Sequence, residues 1–349
     1  MAVSPRLLSI LGINPLNPND EVLIGDDGPL NVFIGGDGND YIEGKGGLVD
    51  TLAGGLGSDT LGYSESSGGV SVSLPGFLFD PVSGSDAIGD VVTADFENVV
   101  GSEHNDTLVG DIFTNILVGL GGADNLLGGG GDDLLIGGGG GDFLFGDTGT
   151  DSVSYELAIS GVSVSLSTGL GTAGEAAGDI LIDVENLVGS DFADDLEGNF
   201  LSNVIVAGSG DDAIRAAGAN DVIIAGAGND RLSGDAGADS LTGGIGADVF
   251  AYSNVSDSSG DGVDFIADFR HSEGDRIDLS LIDANPFQGG DQAFTFIGND
   301  GFHNVAGELR VLTNDVATFV LGDTTGDGNA DFIIALDNVI VFTPQDFLL

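Results

Sequence analysis

The sequence predicts an all-β chain: a right-handed parallel β-roll, that is a β-solenoid of nonapeptide repeats, interrupted by β spacers and followed by a C-terminal β domain. Three observations carry this expectation. A nine-residue frame, G-G-x-G-x-D-x-U-x with U a large apolar residue, begins at Gly101, Gly110, Gly119, Gly128, Gly137 and Gly146 without a slip. Glycine is abundant, 62 of 349 residues, and it clusters just before each aspartate, so turns come every few residues. No stretch keeps a 3.6-residue apolar period, which leaves little room for helix.

Taken in order, residues 1–20 read as an N-terminal cap and 21–62 as degenerate repeats, with GGDGNDYIE from Gly35 and GGLGSDTLG from Gly54. Residues 63–100 form a first spacer, with GGVSVSL and FENVVGS, before the roll at 101–154. A second spacer at 155–188 repeats the pattern with GVSVSL and VENLVGS, so a module of repeats plus spacer is duplicated. The alternating Val-Ser runs read as half-buried strands. A second roll fills 189–251, with blocks from Gly189, Gly198, Ala207, Ala216, Ala225, Gly234 and Gly243. Beyond it, 252–349 turns to ordinary strand patterns such as VDFIADF and DFIIALDNVIVF, a separate C-terminal β domain.

Six residues of each block suit a bend and the x-U-x triplet suits one short strand of about 10 Å. Two blocks then complete a coil of 18 residues, and successive coils stack as parallel strands on two facing sheets. The U residues point inward: Leu108, Leu117, Leu126, Leu135, Leu144 and Val153 in one roll, and Leu196, Ile205, Ile214, Ile223, Leu232, Leu241 and Phe250 in the other. The glycines answer a bend that demands positive φ and close backbone approach. Residue i lies over residue i+18, so Asp124 stacks on Asp142, Asp133 on Asp151, Asp212 on Asp230, Asp221 on Asp239 and Asp230 on Asp248.

Rows of carboxylates repel one another unless a cation lies among them. A hard cation with oxygen ligands suits aspartates and glycine carbonyls, and calcium is the expected ion, about ten of them lying between adjacent turns. The expected ligand-bearing positions in the first repeats are Gly35, Gly36, Gly38, Asp40, Gly54, Gly55, Gly57 and Asp59. In the first roll they are Asp106, Gly122, Asp124, Gly129, Gly131, Asp133, Gly138, Gly140, Asp142, Gly149 and Asp151. In the second they are Asp194, Gly208, Gly210, Asp212, Asp221, Gly226, Gly228, Asp230, Gly237, Asp239, Gly244, Gly246 and Asp248. Asn115, Asn203, His104, Ala216, Ala217 and Ala219 depart from the frame, and their coils are expected to be poor in ions.

Composition narrows the function classes. With 57 Asp plus Glu against 7 Lys plus Arg the net charge is −50, which disfavours nucleic acid and anionic membranes as partners. The chain has no cysteine, so disulfides, thiolate metal sites and thiol nucleophiles are excluded. No apolar run approaches the roughly 20 residues that cross a bilayer, and no membrane insertion is expected. The N-terminal stretch lacks a cleavage pattern after its apolar run, so no N-terminal signal peptide is expected.

The nonapeptide resembles that of the repeats-in-toxin (RTX) proteins, and the C-terminal part is similar to the C-terminal domain of serralysin-type (peptidase M10) secreted proteases. The residues that carry the second likeness are GDRIDLSLIDAN, GDQAFTFIG, AGELR, GDTTGDGNADFIIAL and the terminal DFLL. The resemblance implies an uncleaved signal at the chain's end, type I secretion machinery as a partner, and an extracellular destination outside a Gram-negative cell. It does not extend to catalysis: the zinc motif H-E-x-x-H-x-x-G-x-x-H is missing, His104, His271 and His303 lie far apart, and neither G-x-S-x-G nor a P-loop occurs. No catalytic residue is expected.

Two more acidic groups attract a metal reading. Asp323, Asp327 and Asp331 in DTTGDGNAD resemble the start of an EF-hand loop, with Ile334 where the closing glutamate would stand; a polar β-turn is the alternative. Asp264 and Asp268 are placed to close the last coil. Two functions remain open: a non-enzymatic, secreted calcium-binding scaffold of matrix, surface-layer or adhesive kind, with self-assembly or a cell-surface glycan as partner, or a secretion and folding accessory of a protease. A pore-former would need an amphipathic segment that the chain lacks.

Overall fold

A computed structural model describes residues 3–26, 31–45, 50–74, 82–337 and 339–349. Apart from a short helix at Pro5–Ile10 and three 3₁₀ turns, the described residues form strands and bends. No helix among them is long and apolar enough to cross a membrane. Most strands are parallel and stacked, which is the β-roll that the nine-residue period predicts. The chain divides into two units, residues 1–164 with 168–186, and residues 165–167 with 187–349.

In the first unit one ladder runs through Val22–Ile24, Tyr41–Glu43, Thr60–Gly62, Asn98–Val100, Ile116–Gly121, Leu134–Gly139 and Ser152–Ser154, each strand parallel to the next. A second ladder stacks Val70–Ser73, Thr107–Val109, Asn125–Gly130, Phe143–Thr148 and Ile180–Ile182. Val32–Asp37, Thr51–Leu56 and Val91–Val92 make a third, three-stranded sheet. Leu108 pairs with Leu126 and Leu126 with Leu144, the 18-residue coil read from the sequence. The earliest coils are one residue longer: Tyr41 pairs with Thr60 and Phe33 with Leu52.

In the second unit Leu187, Ile205, Ile223, Leu241 and Ile266 succeed one another in one ladder, and Leu196, Ile214, Leu232, Phe250 and Ile277 in the other. The C-terminal residues extend both. Phe332–Leu336 joins the first ladder through Asp264–Ile266 and carries an antiparallel meander with Thr318–Asp323 and Glu308–Thr313. The final strand, Phe347–Leu348, joins the second through Arg276–Asp278.

Every U residue is buried between the facing ladders, most at 0% exposure and Ile214 at 2%. Burial of such a side chain is worth roughly 1.5–3 kcal/mol, so a single file of Leu and Ile supplies a continuous dry core. In the first unit the outer face of one ladder is covered as well. Leu7, Leu8, Leu11 and Ile13, on and just after the helix, pack on Tyr41, Val100, Val118 and Ile136. Ser4 starts that helix by accepting the Leu7 N–H, and Pro5 fits its first turn.

Candidate metal centre: the aspartate columns

The sixth residue of each block stands at the end of the bend, one residue before the strand triplet. Its position is held by a repeated bond: the backbone N–H of one aspartate donates to Oδ1 of the aspartate one coil further on. Asp106 donates to Asp124, Asp124 to Asp142, Asp133 to Asp151, Asp194 to Asp212, Asp212 to Asp230, Asp221 to Asp239 and Asp230 to Asp248, all at 2.8–2.9 Å. The stacking that sequence spacing predicts is therefore a hydrogen-bonded column, continued in the first repeats by Asp40 to Asp59.

The second oxygen separates two kinds of bend. In the blocks of Asp106 and Asp194, Oδ2 accepts the N–H of the block's own second residue, Ser102 and Ser190, and in the blocks of Asn115 and Asn203 the single amide oxygen accepts that of Asp111 and Asn199. These bends are closed. In the blocks of Asp40, Asp59, Asp124, Asp133, Asp142, Asp151, Asp212, Asp221, Asp230, Asp239 and Asp248, Oδ2 is buried and has no hydrogen-bond partner. These bends are open.

Backbone conformation decides which kind forms. Every open bend has positive φ at its second residue: Gly36, Gly55, Leu120, Gly129, Gly138, Asp147, Gly208, Ala217, Gly226, Asp235 and Gly244. None of the four second residues of the closed bends does. The left-handed conformation turns that N–H away from the carboxylate, and glycine adopts it without steric cost. The fourth residue follows the same rule, with positive φ at Gly38, Gly57, Gly122, Gly131, Gly140, Gly149, Gly210, Gly228, Ala219, Gly237 and Gly246, whereas His104, Phe113, Phe192 and Leu201 take that place in the closed bends.

First-position glycine stands close against that spare oxygen. A Cβ on Gly119 would lie 2.2 Å from Asp124 Oδ2 and 2.6 Å from the Gly137 carbonyl of the next coil; on Gly35 it would lie 2.1 Å from Asp40 Oδ2 and 2.5 Å from the Gly54 carbonyl. A glycine in first position thus lets a carboxylate and a carbonyl oxygen come closer to the backbone than a side chain would allow, and it does so in closed bends too, as Gly110 does beside Asn115 Oδ1 and the Gly128 carbonyl. Gly128, Gly137, Gly234 and Gly243 stand against Asp133, Asp142, Asp239 and Asp248 in the same way. Ala207, Ala216 and Ala225 carry a methyl group at that position in the bends of Asp212, Asp221 and Asp230.

A buried carboxylate oxygen with no donor is costly. Burial, ahead of repulsion from neighbouring carboxylates, raises the proton affinity of Asp59, Asp124, Asp133, Asp212 and Asp221 to about 7, and of Asp230 and Asp239 to about 6. The columns therefore call for positive charge. Among the described residues no three His, Asp or Glu side chains converge on one point. Carbonyl oxygens must then complete any ligand set, and a hard, oxygen-seeking cation such as calcium fits that chemistry.

Further acidic residues enter the columns without belonging to a nonapeptide. Asp50 accepts from Asn31, Asp90 from Asp50, Asp179 from Asp142, Asp275 from Asp248, Glu97 from Asp59 and Glu185 from Asp151. Sequence reading missed Asp50 because one extra residue after Gly44 shifts it out of the frame, and the other five because no run of glycines precedes them; the signal was an acid directly before an x-U-x triplet, as in DILI and DRID. Asp264 accepts from Asp239 and keeps a buried, unpartnered Oδ2, and burial raises its proton affinity to about 8. Asp268 instead clasps the N–H groups of Gly243 and Gly244 with both oxygens. Asp323 accepts from Gly326 and Gly328, Asp331 from Thr324 and Thr325, and exposed Asp327 from Asn329, so these three carboxylates brace a polar turn and do not meet.

Residues 31–61, 100–135 and 118–153 match the family described as the RTX calcium-binding nonapeptide repeat, and residues 183–349 match the peptidase M10 serralysin C terminal. This is an RTX-repeat protein with a serralysin-type C-terminal domain. The RTX match takes in the open bends of Asp40, Asp59, Asp124, Asp133, Asp142 and Asp151, with their unpartnered oxygens. Among solved structures the RTX chain is similar to the solution structure of the AlgE6R3 subunit from the Azotobacter vinelandii mannuronan C5-epimerase, at 27% identity over 45% of this chain and 78% of that one, with a TM-score of 0.26. No curated protein matches it.

Proposed function

We propose that this RTX protein is a secreted structural protein that folds when its bends bind calcium outside the cell, in a matrix, surface-layer or adhesive role and without catalysis of its own. The column of buried, unpartnered Asp Oδ2 atoms carries the reading. Calcium, when bound, supplies the positive charge that those columns lack. The chain's own part is to hold each Oδ1 on a backbone N–H, to turn the second-position N–H away through positive φ, and to offer a carbonyl from the coil above.

At the low calcium of a cell interior the carboxylates repel and the coils have no reason to close; at the millimolar calcium of extracellular fluids they close. A site with a dissociation constant of about 0.1 mM stabilises the folded state by about 2.7 kcal/mol at about 10 mM calcium, and stacked sites add along the coil. The test is far-UV circular dichroism of the full chain with calcium and after chelation. Strand signal that appears only with calcium is expected; a spectrum unchanged by chelation refutes the proposal.

The serralysin-type match over 183–349 favours one second reading, a secretion and folding accessory for a partner protease. Electron microscopy in calcium separates the two: filaments or sheets support the scaffold, monodisperse particles the accessory. A casein zymogram is expected to stay blank under both.

A further inference from the structure

Three of the chain's four tyrosines stand at one structural position. Tyr63, Tyr155 and Tyr252 each directly follow a strand triplet, Thr60–Gly62, Ser152–Ser154 and Val249–Ala251, where a regular block places its first-position glycine. After each of them the chain inserts extra residues, in the first two cases including two short strands, before it reaches an acid that takes up the column: Asp90, Asp179 and Asp264. These three acids occupy the sixth position of an expanded bend, because their Oδ1 atoms accept the column bonds from Asp50, Asp142 and Asp239, each at 2.9 Å.

The first and sixth positions face each other in a regular open bend, as the Gly119 and Asp124 pair shows. They face each other in the expanded bends too, although 27 and 24 residues separate the pairs in the first two. The Tyr63 hydroxyl donates to Asp90 Oδ2 at 3.3 Å, and the Tyr155 hydroxyl donates to Asp179 Oδ2 at 2.9 Å. In the third bend the Tyr252 hydroxyl and Asp264 Oδ2 are both buried, and neither has a hydrogen-bond partner. All three tyrosines are buried, at 1–3% exposure. Burial and the facing acid raise the proton affinity of each phenol well above its ordinary range, so each remains a donor.

We propose that tyrosine takes the place of calcium in the bends of Asp90 and Asp179, whose spare oxygens it reaches. The ring stands where a regular bend has its first-position glycine, and the hydroxyl serves the oxygen that would otherwise seek a cation. These two expanded bends are then metal-free joints, and the chain can carry insertions there because their closure does not depend on a calcium-binding loop of fixed length. The proposal rests on the reading that open bends bind calcium, and it names the bends that do not.

The test compares D124N, in an open bend, with D179N and Y155F, in an expanded one, in the full chain. Bound calcium per chain is measured by equilibrium dialysis and folding by circular dichroism in saturating calcium. D124N is expected to lose at least one ion. D179N and Y155F are expected to keep the wild-type ion number while the thermal midpoint falls by several degrees. If D179N loses ions as D124N does, or if Y155F gains one, tyrosine is not the substitute and the proposal fails alone. If D124N keeps the full number, open bends are not the calcium sites and both readings fall.

Discussion

Gly139 and Gly140 are neighbours with opposite requirements. A Cβ on Gly139 meets nothing within 4 Å, whereas on Gly140 it would lie 1.4 Å from the Gly122 carbonyl at a φ of 157°. Gly139→Ala is therefore expected to be neutral or to stabilise by up to about 1 kcal/mol through the unfolded chain, and Gly140→Ala to destabilise by more than that. Thermal melts in calcium read both, and equal midpoints for the two variants would contradict this account of the bend. The aspartates make a pH prediction with a definite sign. Asp124, Asp133, Asp212 and Asp221 bind protons more tightly folded, to about 7, than the ordinary 3.8 of the open chain. Their contribution to metal-free stability is complete below about pH 4 and is lost as pH rises through 7. The metal-free chain is expected to gain strand signal on acidification from pH 8 to 5, and calcium affinity to fall over the same range as protons compete for the same oxygens. Calcium titrations at the two pH values measure this; an affinity that rises on acidification would contradict it.

At the scale of the element, the bend rather than the strand distinguishes one coil from another. Strand triplets of open and closed blocks pair alike: Thr107–Val109 follows the closed bend of Asp106, Asn125–Gly130 the open bend of Asp124, and they lie side by side in register. The strands supply the core uniformly. Leu126→Ala removes a fully buried side chain flanked by Leu108 and Leu144 and is expected to cost about 2–5 kcal/mol. Val222→Ser, on the outer face of its strand at 39% exposure, is expected to stay within about 0.5–1 kcal/mol of wild type. Denaturant unfolding in saturating calcium compares them, and a Leu126→Ala cost no larger than that of Val222→Ser would place the core elsewhere.

At the scale of the whole molecule the net charge of −50 sets the terms. Self-repulsion on that scale opposes any compact state, and salt screens it only in part. Magnesium demands a tighter, octahedral ligand set than flexible bends of carbonyl and carboxylate offer, so it is expected to restore the fold far less well than calcium at equal concentration. Sodium chloride at matched ionic strength is expected to restore little. Circular dichroism with the three salts tests this, and full recovery in sodium chloride would show that screening alone suffices.

The period of the repeat, by itself, determined the parallel roll, the inward file from Leu108 to Phe250 and the column of aspartates, because in a solenoid each coil meets mainly its neighbours and spacing in sequence becomes spacing in the stack. Distances that insertions interrupt were beyond its reach. Only the tertiary structure brought Asp90, Asp179 and Asp275 into the columns, joined strands of the intervening segments to the ladders, and set Tyr63 and Tyr155 against their acids. It also decided which bends are open, since that depends on where the N–H of Ser102 or Gly129 points once the backbone has taken its φ, and a sequence names the residue without its direction.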